Sequence, residues 1–133
     1  AQGRVSALDA NNGTLLWTAG INGTATSLAA NDSMLFASGA GLLRALYRLE
    51  RAEGQLAWQA GLPGTALGGV IVDSGRLLAV TEGGSIQVFD ANTGTLGVAE
   101  IQVGALGGAA AVSAPYIFIP TQSGILYAVR SGN

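Results

Sequence analysis

The residues of this chain that could do chemistry are few. Among 133 residues there are eight carboxylates and six arginines, and His, Cys and Lys are absent. Without a His base, a Ser–His–acid nucleophile cannot be built. Without Cys or His, neither a zinc site nor thiolate chemistry is available. What remains is carboxylate acid–base work, which needs two acids converging on one site. The acids are instead spread at a fixed interval: Asp9, Glu50 and Asp90 lie 41 and 40 residues apart. Gly13, Gly54 and Gly94 follow them with the same steps. Asp9–Gly13 and Asp90–Gly94 superficially look like an oxygen-ligand calcium loop, but no bidentate Glu closes either. A turn held by its own side chains accounts for both. The segment is therefore expected to hold no catalytic residue, metal or cofactor of its own.

Stepping outward from these turns, the period extends into the flanks. Val5, Leu46, Ile86 and Leu126 stand four residues before the acidic position, where Arg130 takes its place in the last copy. Leu8, Leu49, Phe89 and Val129 stand one before it. Trp17 and Trp58 follow their glycines by four, and Val98 stands where a third Trp would. A period of this size marks a repeat architecture. Short apolar runs bounded by Gly, Asn, Asp, Ser or Pro read as strands. They fall at 4–9 and 14–19, 25–30 and 34–39, 43–50 and 55–60, 67–72 and 76–81, 85–90 and 95–102, 107–113 and 116–121, and 124–130. Residues 39–53 taken alone read as helix, because Leu43, Leu46, Tyr47 and Glu50 have helical spacing. The register of Leu46 and Leu49 with clear strands of the other copies overrides that.

Four strands per period make a propeller blade, so the chain is expected to be all-β, with blades of four antiparallel strands. The expected division is the end of one blade at 1–20, full blades at 21–61 and 62–102, and an incomplete blade at 103–133. Propellers close with about four to eight blades. About three blades leave an incomplete ring with open strand edges. The expected partners are thus other subunits, or the remainder of a longer chain that completes the ring.

The residues quoted resemble the pyrroloquinoline-quinone (PQQ)-like repeat of quinoprotein-type β-propellers. Leu126-Tyr127-Ala128-Val129 is similar to the first half of that repeat. Asp90–Gly94 is similar to its turn, and Asp9–Trp17 to most of its second half. The resemblance implies that Trp17 and Trp58 pack between neighbouring blades. It implies a function of one of three kinds: a non-catalytic scaffold holding proteins together in a bacterial envelope, a piece of a PQQ-dependent alcohol or sugar dehydrogenase, or a small-ligand sensor. The dehydrogenases carry convergent acids and an adjacent Cys pair, and neither is present here, which favours the scaffold and an extracytoplasmic location, periplasmic or at the cell surface.

Arg44, Arg48 and Arg51, with Glu50 and Glu53, form the one charged cluster and a candidate docking patch. A net charge of −2 with scattered arginines argues against nucleic acid. No apolar run reaches the roughly 18–20 residues of a membrane helix. Three glycosylation-type triplets begin at Asn12, Asn22 and Asn31, where turn asparagines are expected in any case.

Overall fold

The computed structural model describes residues 2–40, 45–66, 69–97, 101–113 and 115–130. Their strands are β1 (Gln2–Leu8), β2 (Leu15–Asn22), β3 (Thr24–Ala30), β4 (Met34–Ala40), β5 (Ala45–Glu50), β6 (Leu56–Gly61), β7 (Gly69–Asp73), β8 (Arg76–Val80), β9 (Ser85–Asp90), β10 (Ile101–Gln102), β11 (Ala111–Ser113), β12 (Tyr116–Pro120) and β13 (Leu126–Arg130). They form four antiparallel sheets: β1–β2, β3–β6, β7–β10 and β11–β13, each in simple meander order. The two middle sheets are four-stranded blades, and the two outer sheets have two and three strands. No helix is present among the described residues. The local helical signal around residue 47 yields to tertiary pairing, because β5 is hydrogen-bonded on both sides, to β4 and to β6.

One expected strand, 107–113, is shorter than its sequence pattern. Of residues 95–102, the described ones meet β9 at a bridge from Phe89 to Leu96 and along β10, and residues 98–100 lie outside the described residues. Of 107–113, only Ala111–Ser113 forms a strand. Gly107 instead donates its N–H to the Pro120 carbonyl at 2.9 Å. A Cβ there would lie 2.8 Å from the Thr121 carbonyl oxygen, so the chain passes too close to its neighbour to carry a side chain.

The core lies between sheets. Val5, Ala19 and Ile21 of the first sheet pack on Ala37, Ala45, Tyr47 and Leu49 of the second. Phe36 of the second packs with Leu77, Ala79 and Phe89 of the third. Leu78, Val80 and Ile86 of the third meet Ile117 and Ile119 of the fourth. Alternation explains this: successive strand residues point to opposite faces, so each blade offers one apolar row forward and one back. The pair Phe36 and Ala37 shows it, each fully buried in a different cluster.

Candidate functional site: the repeat turns and their indole contacts

Each repeat turn is closed in the same way. Gly13 donates to the Asp9 carbonyl at 2.7 Å, Gly54 to Glu50 at 2.8 Å and Gly94 to Asp90 at 2.9 Å. The acidic residue's own N–H is bound by the carbonyl of Thr14, Gln55 or Thr95. The three glycines have φ of 73°, 71° and 72°, a left-handed backbone that residues with a Cβ adopt only at a cost.

The carboxylates serve these turns. Asp9 Oδ1 accepts the Asn11 N–H at 2.7 Å. Asp90 Oδ1 accepts the N–H groups of Asn92 at 2.9 Å and Thr93 at 2.8 Å, and the Thr93 hydroxyl at 3.1 Å. Glu50 pairs with Arg48 at 3.1 Å. The Thr93 N–H, then the Thr93 hydroxyl, hold the Asp90 carboxyl below its ordinary pKa, with a smaller contribution from Asn92; the slight burial present acts the other way. Its folded pKa is depressed, so its stabilisation is present above the unfolded pKa and is lost as pH falls through the folded value. Asp90→Asn is therefore expected to lower the urea midpoint at neutral pH and to converge on the parent chain in acid. A difference that does not change with pH would show that the charge has no part in the turn.

Both tryptophans reach across to the next repeat. Trp17, on β2, donates its indole N–H to the Arg51 carbonyl at 2.9 Å, and Trp58, on β6, to the Ala91 carbonyl at 3.2 Å. Each ring lies over the glycine of the turn that it reaches. A Cβ on Gly54 would collide with the Trp17 ring, and one on Gly94 would lie 2.6 Å from Trp58 Cδ2. Glycine and tryptophan thus make one joint: the glycine bares the turn and the preceding indole covers it, and in the Trp58 joint the Asp90 carboxylate also orders the turn. Both indoles are half-buried. Trp58 has a further neighbour in Phe36, with centroids 6.0 Å apart.

Of the arginine cluster, Arg44 lies outside the described residues. Arg48 has its guanidinium largely covered, donating to the Asn92 carbonyl at 2.7 Å as well as to Glu50. Arg51 donates to the Asn31 carbonyl at 2.9 Å and is otherwise exposed.

Sequence reasoning missed two repeating contacts. Gly23, Gly64 and Gly104 keep the same 41- and 40-residue steps as the turn glycines. A Cβ on Gly3 would collide with the Gly23 carbonyl, and one on Gly84 with that of Gly104. Thr81 and Thr121, 40 apart and buried, each accept the N–H four residues on, from Ser85 and Ile125. The signal was the same period applied to residues outside the turn. Between these hairpins the backbone links sheet to sheet: Glu82 N–H to the Thr65 carbonyl, Leu106 N–H to Glu82, and Gln122 N–H to Ala105. Beside that line is an open recess of about 520 Å³, lined by Glu82, Leu106, Gly107, Gly108, Ala109 and Gln122.

The fold family implies PQQ and calcium, whose binding needs acids gathered at one place. Asp9, Glu50 and Asp90 belong to hairpins of three different sheets; Asp9 and Asp90 are engaged in their turns and Glu50 with Arg48. Among the described residues no three of the His, Cys, Asp and Glu side chains come together in a metal-binding group. The residues present do not fit the cofactor.

Comparison with known proteins agrees with this architecture. The crystal structure of BamB from Moraxella catarrhalis superposes with a TM-score of 0.77 at 22% identity, over 97% of this chain and 40% of that one. The computationally designed Ika4 protein gives 0.80 at 18% identity, over 98% of this chain and 81% of that one. A europium-containing methanol dehydrogenase gives 0.56 at 16% identity, over 70% of this chain and 19% of that one. At these identities the likeness is one of fold, and the chain spans well under half of the BamB structure. Among curated proteins none matches significantly. The sequence pattern of the PQQ_2 family, described as "Outer membrane protein assembly factor BamB", matches residues 1–133, and the chain belongs to that family of PQQ-like repeat β-propellers.

Proposed function

We propose that this segment is a rigid protein-docking scaffold in an extracytoplasmic bacterial assembly, without chemistry of its own. One observation carries the reading: Asp9 and Asp90 accept N–H groups of their own hairpin turns and Glu50 pairs with Arg48, so the charged groups of the repeat build a frame instead of a site. The family description, an assembly factor, supports the same direction. So does the surface, where Leu15, Leu56 and Leu96, two residues after each turn glycine, are 62%, 55% and 56% exposed. Apolar side chains repeated along one rim suit a protein partner. The arginine edge is the other candidate surface, and Arg51 is its exposed member among the described residues. No helix among the described residues is long and apolar enough to cross a membrane.

The test places a photo-crosslinking residue at Leu56 or Arg51 in bacterial cells. Discrete protein adducts, lost on Leu15→Asp/Leu96→Asp or Arg51→Glu substitution, are the expected result. Titration with PQQ and calcium, followed by a dye-linked alcohol dehydrogenase assay, addresses the dehydrogenase reading. Stoichiometric PQQ binding with turnover, abolished by replacing Asp9, Glu50 or Asp90, would overturn the scaffold. The recess beside Glu82 and Gln122 favours the ligand-sensing alternative, and a small molecule whose binding is lost in Glu82→Gln would establish it instead.

A further inference from the structure

The chain carries the pair Asn–Gly twice, at Asn12-Gly13 and Asn22-Gly23. This pair is prone to cyclise on itself, because a glycine nitrogen has no neighbouring side chain to shield it from the asparagine carboxamide. The fold treats the two pairs differently. Asn12 lies in the first repeat turn. Its Oδ1 accepts the Thr14 N–H at 2.9 Å and the Thr14 hydroxyl at 2.8 Å. The Gly13 N–H, which carries the nucleophilic nitrogen, is bonded to the Asp9 carbonyl at 2.7 Å. Both reacting groups are engaged, and the turn has to open before they meet. Asn22 instead ends β2, and Gly23, with φ of 82°, is the single residue joining it to β3. The Asn22 side chain is exposed, and among the described residues no hydrogen bond holds it. Its counterpart one repeat on, Pro63, is exposed although its sheet is packed on both sides, and Val103, two repeats on, is half-buried. This place in the blade therefore meets solvent wherever the repeat sits in the chain.

We propose that Asn22 is a site of spontaneous modification, converted by its own backbone to aspartate and isoaspartate, while the repeat turn spares Asn12. The Gly23 nitrogen bonds to Asn22 Cγ, the Cγ–Nδ2 bond breaks, and ammonia leaves with the proton of the Gly23 N–H. Water then opens the cyclic imide at one of its two carbonyls. Opening at Cγ gives aspartate. Opening at the backbone carbonyl leaves the chain running through Cγ as isoaspartate, one methylene longer. No enzyme, oxidant or cofactor takes part. The backbone here has no slack for the extra methylene. A Cβ on Gly39, in the second sheet, would lie 2.7 Å from the Asn22 carbonyl oxygen, and one on Gly3 would collide with the Gly23 carbonyl. Ile21, beside them, is 3% exposed in the core between the first two sheets. Isoaspartate at this position is thus a one-way loosening of that core, advancing with the age of the protein. It is independent of any docking surface.

The test ages the whole chain in mildly alkaline buffer and follows both asparagines by peptide mass, with isoaspartate separated from aspartate by chromatography. Asn22 is expected to convert at least about tenfold faster than Asn12, because opening the turn breaks several hydrogen bonds at once. In urea the turn is gone and the two rates converge. Equal rates in the folded chain, faster conversion of Asn12, or a folded chain in which neither converts each overturn the proposal. Asn22→Gln is the control: glutamine cyclises far more slowly, and the exposed side chain it replaces holds nothing. Its urea midpoint stays constant during ageing, while that of the parent chain falls as isoaspartate accumulates. A parent midpoint that stays constant while isoaspartate accumulates overturns the loosening.

Discussion

Gly84→Ala is expected to bring the chain close to unfolding. Two costs combine at this position. The backbone has φ of 83°, where a Cβ costs roughly 1–2 kcal/mol. That Cβ would also fall on the backbone of Gly104, colliding with its carbonyl and lying 2.8 Å from its nitrogen. Backbone cannot rotate aside as a side chain can, and the Val103 N–H to Gly84 carbonyl bond of 3.0 Å holds the two segments together. Overpacking of this kind costs about 1–3 kcal/mol, so the sum is about 2–5 kcal/mol against a usual total of about 5–15. Gly75→Ala is the control, since it shares a positive φ of 78° but meets nothing within 4 Å. The two variants should therefore differ in urea midpoint by the contact alone. Equal losses would mean that Gly84 and Gly104 do not touch.

The second large effect is at Trp58. Trp58→Ala removes the indole covering Gly94, the hydrogen bond to the Ala91 carbonyl and the contact with Phe36. Large aromatic deletions cost about 3–5 kcal/mol, and half-burial puts this one near the lower end. Trp17→Ala should cost less, because among the described residues no aromatic ring is paired with Trp17. A double-mutant cycle identifies the joint. Gly94→Ala alone suffers both the left-handed backbone, φ 72°, and the ring above it. In the Trp58→Ala background only the backbone cost remains. The coupling should exceed about 1 kcal/mol, as for residues in contact. Additive losses, measured by chemical denaturation with far-UV circular dichroism as the signal, would show that ring and glycine act independently.

These expectations differ in how visible they were beforehand. Gly94 and Trp58 stand in the repeat: the turn glycine was legible there, and the resemblance implied an indole buried between blades, where the structure has it only half-buried. That each indole covers the glycine of the next repeat was not, because the partners are 36–37 residues apart and meet only when one sheet stacks on another. Gly84 and Gly104 were legible only as glycines in rich stretches. Their common period with Gly3 and Gly23 carried the information, but a close backbone approach has no side-chain signature to read.

The sequence alone determined the strand order, the turn positions and the all-β repeat, since each is a local or periodic property. Alternating apolar residues set which faces are buried, and left-handed turns demand glycine wherever they recur. Even the misleading helical spacing at residues 39–53 could be corrected by the period. The tertiary structure alone decided what the conspicuous residues do. Asp9 and Asp90 read from the sequence as residues of side-chain-held turns, and only the structure shows which N–H groups they accept: Asn11 for Asp9, Asn92 and Thr93 for Asp90. Arg48 was a candidate for docking by charge, and its guanidinium is tied to the Asn92 carbonyl of the following turn. The same residue types would serve a site if the acids converged. Stacking the blades side by side keeps equivalent residues on separate sheets, so that a period which brings order to the fold holds its reactive groups apart.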